Sequence, residues 1–212
     1  MRFYTWQDRF VLKIDSVLHA VIPSQTYIAR SSPASDLPPV SLTPAEKAQA
    51  AALMRVNHSG EVCAQALYQG QALTARSYEV QRVLRQSAQE ETDHLLWCQE
   101  RIQQLGGHTS YLNPVWYLGS FLIGIAAGLA GDAYSLGFLA ETEDQVTRHL
   151  TRHLDQLPKS DRLSRCVVEQ MRVDEMAHQR IAEQMGAISL PQSIQSLMAL
   201  CSRIMTSVAY VL

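Results

Sequence analysis

Apolar side chains recur every three or four positions along most of the chain, a spacing that is typical of helices burying one face. Thr43, Pro44 and Glu46 form a capping box with proline at the first helical position, so the first long helix begins there. No segment has the alternation between hairpin turns that predicts β-strands. The predicted helices cover residues 43–75, 80–105, 114–157, 160–186 and 191–212. We therefore predict an all-α fold: a bundle of four central helices with flanking N- and C-terminal helices.

The N-terminal region, residues 1–41, is predicted to be separate from the main domain, residues 42–212. Its apolar residues Phe3, Trp6 and Phe10 have helical spacing, and the charges between them argue against a secretory signal. This amphipathic helix either packs on the domain or lies on a membrane surface. A Ser- and Pro-rich linker at residues 31–39 follows the helix.

Residues 115–130 contain no charged side chain, but these 16 positions fall short of the roughly 17–25 that cross a bilayer. A buried helix or a segment docked at a membrane interface is favoured over a full span. The C-terminal residues 189–212 carry a single charge, Arg203, and their helical spacing predicts packing against the core.

Composition narrows the possible functions. Charged side chains make up 18% of the 212 residues, below the roughly 25% of an average soluble domain. The net charge of −2 argues against nucleic-acid binding. The four cysteines form no C-x-x-C pair, which excludes a disulfide scaffold and a thiolate zinc site and indicates a reducing compartment. We predict that the missing charge belongs to a surface that meets a membrane.

Two short motifs are candidates for chemistry, Glu91-x-x-His94 and Glu175-x-x-His178. Residues three apart share one face of a helix, so each motif presents a carboxylate and an imidazole together. Both glutamates lie along apolar stripes that should face the core. A buried carboxylate is costly unless it is paired or binds a metal.

Glu61 and Glu143 lie on two further apolar stripes, and their spacing is nearly repeated. Glu61 precedes Glu91 by 30 residues and Glu143 precedes Glu175 by 32, so each half of the chain forms a helix pair with the same pattern. Two divalent ions about 3.5–4 Å apart need carboxylates between them. Four glutamates and two histidines from four helices are the ligand set of ferritin-like di-iron and di-manganese bundles. An oxygen-rich site favours iron or manganese over copper or structural zinc.

Acidic residues next to the motifs predict how the histidines are held. A metal-bound histidine usually donates its other N–H to a carboxylate. We predict that Asp174 orients His94 and that Glu90 orients His178, each across the bundle. The alternative is that both acids are merely exposed helix charges. His149 is predicted to lie just outside the ligands.

The other histidines are weaker candidates. His58 precedes Glu61 by three positions and is a further candidate to face the same site. His19, His108 and His153 are predicted to lie at the surface.

Longer stretches surround the candidate ligands: RVNHSGE at 55–61, ETDHL at 91–95, NPVW at 113–116 and DEMAH at 174–178. In this combination the chain resembles the demethoxyubiquinol hydroxylase family of ubiquinone biosynthesis, from about residue 42 to residue 212. The resemblance implies a di-iron monooxygenase in which Glu91 and Glu175 bridge the ions. The iron ligands it implies are Glu61, Glu91, His94, Glu143, Glu175 and His178. Animal members carry aspartate in place of Asn57 and tyrosine in place of Leu150, and residues before Leu42 have no recognised counterpart.

The resemblance also implies a reaction. The substrate would be a polyprenylated demethoxyubiquinol or demethoxyubiquinone, hydroxylated on its ring in the penultimate step of ubiquinone biosynthesis. Two Fe²⁺ ions per chain and O2 would take part. Electrons would come from NADH or from the quinol itself, since the sequence has no dinucleotide-binding glycine fingerprint in a strand–helix context.

The same resemblance implies a peripheral protein at the cytoplasmic face of the inner membrane. A homo-oligomer and a lipid-binding accessory protein are further expected partners, and nucleic acid is not. Two other interpretations stay open. In the first, the chain is a different ferritin-like di-metal oxidase or ferroxidase. In the second, it is a non-enzymatic, membrane-associated quinone-binding bundle.

Overall fold

The computed structural model describes residues 30–212, so the predicted N-terminal amphipathic helix lies outside the described residues. The helices are α1 (Pro44–Thr74), α2 (Tyr78–Gln104), α3 (Asn113–Leu129), α4 (Asp132–Gln156), α5 (Arg162–Gln184) and α6 (Gln192–Val211). Across 30–212 there is no strand, and the predicted all-α class is confirmed.

The capping box predicted at the start of α1 is present. The backbone N–H of Glu46 donates to Thr43 Oγ1 at 3.3 Å, and the backbone N–H of Thr43 donates to Glu46 Oε2 at 2.8 Å. Pro44 occupies the first helical position, where a missing N–H costs nothing. These contacts fix where the helix that carries Glu61 begins.

The prediction of one helix across residues 114–157 is wrong, because the chain turns at Gly131 between α3 and α4. Gly131 has φ +114°, a conformation that favours glycine. Asp132 then begins α4, and its carboxylate accepts hydrogen bonds from the backbone N–H groups of Arg76 at 2.9 Å and Ser77 at 2.8 Å. The turn leaves α3 outside the bundle and directs α4 into it.

The four-helix bundle consists of α1, α2, α4 and α5. The pairs α1–α2 and α4–α5 pack as hairpins, and α1 also meets α4 while α2 meets α5. Fully buried side chains such as Met54, Leu139 and Met171 fill the spaces between these helices. The outer helix α3 runs along α1, where Gly124 lies against the backbone of Leu67. This close packing makes α1 the most enclosed helix of the bundle.

Residues 30–41, which we call the N-terminal strap, contain no helix and lie against the bundle. Ala34 is buried in the same apolar cluster as Trp97 of α2 and Leu163 of α5. A cavity of about 390 Å³ lies between part of the strap and these two helices. The predicted linker is therefore helix-free but packed, and the domain boundary at residue 41 stays a prediction.

Apolar side chains remain exposed on α3 and α6. Those more than half exposed are Val115, Leu118, Leu122, Leu129, Leu197, Leu200, Ile204 and Val211. Ala209 is the one buried residue of α6, so the predicted packing of residues 189–212 on the core holds only in part. Within residues 30–212, α6 alone is long and apolar enough to cross a membrane, with a mean hydropathy of 1.2.

Candidate metal centre

The six predicted ligands meet in the middle of the bundle, and every one of them is buried. Four helices supply them: Glu61 from α1, Glu91 and His94 from α2, Glu143 from α4, and Glu175 and His178 from α5. The apolar stripes that carry these residues face the core because the rest of each stripe is aliphatic.

A first group of ligand atoms surrounds His94. Its Nδ1 lies 3.0 Å from Glu91 Oε2, 3.1 Å from Glu175 Oε1 and 3.8 Å from Glu61 Oε2. The four residues offer ligand atoms that all lie within 4.8 Å of one another. Such a group could hold one metal ion.

A second group surrounds His178 in the same way. Its Nδ1 lies 3.2 Å from Glu175 Oε2, 3.4 Å from Glu143 Oε1 and 3.5 Å from Glu91 Oε1. Glu91 and Glu175 belong to both groups. These two glutamates therefore occupy the positions from which one carboxylate could reach two ions.

Each histidine turns its other ring nitrogen outwards to an acid on a different helix. His94 Nε2 lies 3.0 Å from Asp174 Oδ2, and His178 Nε2 lies 2.6 Å from Glu90 Oε2. These are the two pairs that the sequence predicts. Because Nε2 is engaged by a carboxylate, Nδ1 is left facing the centre of each group.

The centre contains more acid than base. Burial raises the pKa of Glu91 well above its usual range, and the charge of Glu175 adds to this. The same causes raise the pKa of Glu143 to about 8. Burial disfavours the charged form of Glu175 as well, but the charge of His94 and a hydrogen bond from His178 hold its pKa below the usual value. Despite burial, Glu175 and Asp174 raise the pKa of His94. Glu143, Glu175 and Glu90 likewise raise the pKa of His178.

The donor set fits a pair of divalent ions. Glu91 Oε1, Glu143 Oε2 and Glu175 Oε1 are buried oxygens without a hydrogen-bond partner among residues 30–212. Buried polar atoms are nearly always paired, so oxygens left over in one cluster need a partner of another kind. Carboxylates and imidazole at these distances suit iron or manganese, and the ions would offset the excess acid.

Tyr68 is a residue of the centre that the sequence analysis did not single out. Its hydroxyl donates to Glu143 Oε1 at 2.5 Å in the buried centre. Tyr68 lies seven residues after Glu61, on the same face of α1. A buried tyrosine hydroxyl usually has a partner, and that rule could have identified it.

The remaining histidines lie outside the two ligand groups. His58 is buried beside Asn113 of α3, whose Nδ2 lies 3.3 Å from His58 Nδ1. The prediction that His153 lies at the surface is wrong, because it is 5% exposed and its ring centroid is 3.9 Å from that of His149. The role of His149 outside the ligands stays a prediction.

A small cleft of about 40 Å³ leads towards Glu61. It is lined by α1, α4 and α6, including Asn57, His149 and Met205. Helix α3, which carries most of the charge-free residues 115–130, does not line this cleft. The apolar surface of α6 lies beside the cleft instead.

Comparison with known proteins indicates a family for the whole described bundle. The family described as ubiquinone biosynthesis protein COQ7 matches residues 48–209. A protein of Polynucleobacter necessarius subsp. necessarius named 3-demethoxyubiquinol 3-hydroxylase is 54% identical over 204 residues, covering 96% of this chain and 97% of the relative. Proteins of the same name are 50% identical over 203 residues in Nitrosococcus oceani, covering 96% and 95%, and 49% identical over 211 residues in Legionella pneumophila, covering 99% and 99%.

These alignments extend over residues before Leu42. A match to 96% of the chain includes much more than residues 42–212. The expectation that the N-terminal region has no counterpart among relatives is therefore wrong.

Proposed function

This chain belongs to the COQ7 family of ubiquinone biosynthesis proteins, and we propose that it is a di-iron 3-demethoxyubiquinol 3-hydroxylase. The observation that carries the proposal is the overlap of two buried ligand groups at Glu91 and Glu175. Relatives that align over nearly the whole chain bear the name of this enzyme. Non-haem iron is suited to O2 chemistry, which a hydroxylase of this kind requires.

The reaction would replace a ring C–H bond by C–OH. One atom of O2 enters the ring and the other leaves as water, so each turnover takes two electrons and two protons from a donor. NADH and the quinol itself are the candidate donors. When bound, two iron ions would supply the activation of O2.

The chain's residues would hold this centre in place. Glu61 and His94 would bind one ion, Glu143 and His178 would bind the other, and the two shared glutamates would bridge them. Asp174 and Glu90 would accept the outer N–H of the histidines and so fix the direction of each Nδ1. The surrounding aliphatic core would keep bulk water away from the reacting atoms.

We propose that the protein meets the membrane through α3 and α6. A polyprenyl tail leaves the bilayer at a cost of about 0.8 kcal/mol per CH2, so the enzyme has to approach its substrate there. Arg55 of α1 supports peripheral docking over a span by α6. Its side chain donates to the backbone carbonyls of Ala209 at 2.9 Å and Tyr210 at 3.0 Å, which ties the end of α6 to the bundle.

The compartment and partners follow from the same surfaces. All four cysteines are free, which suits the reducing cytoplasmic face of the inner membrane. The exposed apolar rows of α3 and α6 are also where a second copy of the chain or a lipid-binding accessory protein would pack. We do not expect the protein to bind nucleic acid, because its net charge is −2.

The test combines metal analysis with turnover. Protein reconstituted with Fe²⁺ without oxygen should bind about two ions per chain, then convert demethoxyubiquinol to its hydroxylated product with O2 and NADH. Glu175→Ala should lose both properties, whereas Glu169→Ala, an exposed glutamate on the same helix, should keep them. Equal activity in Glu175→Ala contradicts the ligand assignment.

The same experiment separates the alternatives. Bound iron that is oxidised by O2 without quinone turnover would indicate a ferroxidase. A wild-type protein that binds the quinone but no iron would indicate a non-enzymatic quinone-binding bundle.

A further inference from the structure

Arg30 of the N-terminal strap lies at the outer face of His94. Its Nε donates to Asp93 Oδ2 at 3.0 Å, and its Nη1 donates to Asp174 Oδ2 at 2.9 Å. The guanidinium carbon lies 4.9 Å from the ring centroid of Trp97, and Trp97 Nε1 donates to the backbone carbonyl of Arg30 at 3.3 Å. Two acids and one aromatic ring thus fix the arginine in one orientation.

Arg30 is connected to the metal centre chiefly through Asp174, and its Nη2 also lies 3.5 Å from His94 Nε2. Asp174 Oδ2, which receives the arginine, is also the oxygen that lies 3.0 Å from His94 Nε2. The other oxygen, Oδ1, accepts from Gln170 Nε2 at 2.9 Å. The carboxylate is therefore held on both oxygens and cannot rotate without breaking a charged hydrogen bond.

The related position on the other side of the bundle has no such cation. Glu90, the partner of His178, accepts from Gln86 Nε2 at 3.0 Å, and no arginine or lysine hydrogen-bonds to it in the part of the chain described. The side chain of Glu90 is 35% exposed, whereas that of Asp174 is 15% exposed. One histidine–carboxylate pair is thus hydrogen-bonded to a cation and is the less exposed of the two, whereas the charge of Arg30 reaches Glu90 only through space, without a hydrogen bond.

We propose that Arg30 is a positioning residue that makes the two metal positions unequal. An arginine on Asp174 draws negative charge away from that carboxylate, so His94 Nε2–H donates to a weaker acceptor. A weaker outer hydrogen bond leaves the histidine a poorer electron donor at Nδ1. The ion beside His94 and Glu61 is then more electrophilic than the ion beside His178 and Glu143. This inference rests on the di-iron centre of the proposed function.

A purely structural role for Arg30 would give a different experimental result. If Arg30 only anchored the strap, its removal would lower the stability of the fold and would change both metal positions alike or neither. If it acts through Asp174, the position beside His94 should change clearly more than the position beside His178.

The experiment uses the full chain and two metal probes. In the first, Co²⁺ is titrated into the protein, and the visible absorption of the bound ion gives a separate affinity and spectrum for each binding step. In the second, Mössbauer spectra of the iron-loaded protein distinguish the two iron atoms. Arg30→Ala should change one of the two affinities by about tenfold and shift one of the two iron signals. Arg30→Lys keeps the charge but cannot bridge two acids with a rigid fork, so it should restore only part of the change.

Two controls match these variants. Arg172→Ala removes a cation from α5 that bonds to Glu169 and not to the centre, so it should leave both positions unchanged. Gln86→Ala removes the neutral donor from Glu90, so any change it causes should fall on the other position. Both positions moving together, or neither moving while the melting temperature falls, would overturn the role of Arg30. A wild-type protein that binds fewer than two ions would overturn the proposed function as well.

Discussion

The phenolic hydroxyl of Tyr68 donates to Glu143 Oε1 at 2.5 Å, and both groups are buried in the bundle. Burial and the neighbouring carboxylates raise the pKa of Tyr68 well above its usual value, so the hydroxyl keeps its proton and stays a donor. One oxygen of Glu143 is thereby engaged, while Oε2 has no hydrogen-bond partner among residues 30–212. Tyr68 thus sets which oxygen of this carboxylate is available.

Replacing Tyr68 by phenylalanine should weaken the proposed ion site beside His178. We expect an affinity loss of about tenfold or more, the usual effect of removing a partner of a metal ligand. Titration with Fe²⁺ or Co²⁺ measures this change. Tyr117→Phe is the matched control, because its hydroxyl donates to Gln69 outside the centre. Equal affinities in the two variants would contradict a positioning role for Tyr68.

The packing of α3 on α1 should depend on Gly124. A Cβ added there would lie 2.1 Å from the carbonyl oxygen of Leu67, so the two helix backbones would have to move apart. We expect Gly124→Ala to lower the free energy of unfolding by about 1–3 kcal/mol. Gly119→Ala in the same helix has no atom within 4 Å of the new Cβ and should be neutral or gain up to about 1 kcal/mol. Urea unfolding of both variants tests this, and an unharmed Gly124→Ala would refute the close packing.

Buried histidines outside the centre should make the fold sensitive to acid. Burial lowers the pKa of His58 and His149 to about 4 and that of His153 to about 3. Below pH 6.5 the unfolded chain takes up protons at these residues that the folded chain does not. Stability is therefore present above pH 6.5 and is lost as pH falls towards the folded values, at about 1.4 kcal/mol per unit for each histidine.

His153→Gln should reduce this loss. Between pH 7 and pH 5 its free energy of unfolding should fall by about 2 kcal/mol less than that of the wild type. Gln103→Ala, at an exposed side chain that does not titrate, should follow the wild-type curve. Denaturant unfolding at both pH values gives the difference, and parallel curves for all three proteins would rule out the effect.

Membrane binding should depend on the exposed leucines of α3 and α6. Leu122 is 56% exposed and Leu200 is 53% exposed. Moving an apolar side chain of this size into lipid gains about 1.5–3 kcal/mol, and a charge in its place opposes insertion. We expect Leu122→Glu with Leu200→Glu to lower binding to phosphatidylethanolamine–phosphatidylglycerol vesicles at least about tenfold, with the metal sites intact.

Phe121 is a less suitable position for this test, because it is half-buried against Tyr117. Gln103→Glu with Gln184→Glu, which adds the same two charges at exposed positions near the ends of α2 and α5, serves as the control for charge alone. Unchanged sedimentation of the double variant with vesicles would place the docking surface elsewhere.

The helices and the six central side chains followed from the sequence because both are local patterns. Apolar spacing fixes which face of a helix is buried, and Glu-x-x-His places two ligands one turn apart on that face. The turn at Gly131 was missed because apolar spacing continues on both sides of it, while only the backbone angle shows the break. His153 was misplaced because Arg152 and Asp155 flank it, although its own side chain points inwards.

Long-range contacts account for the rest. The hydrogen bonds of Arg30 join residues 63 and 144 positions apart, and the bond of Tyr68 to Glu143 spans 75 positions. No spacing rule connects such distant residues. They become visible once the hairpins are packed against each other and the strap is laid across α2 and α5.

The sharing of Glu91 and Glu175 between two ligand groups has a consequence for the life of the protein in the cell. Each group takes three residues from one helical hairpin and one from the other. An ion in either group would therefore join the two hairpins, and its binding energy would favour only the assembled bundle. Iron supply would then govern how much of the protein escapes proteolysis, and cells starved of iron should lose the protein itself as well as its activity.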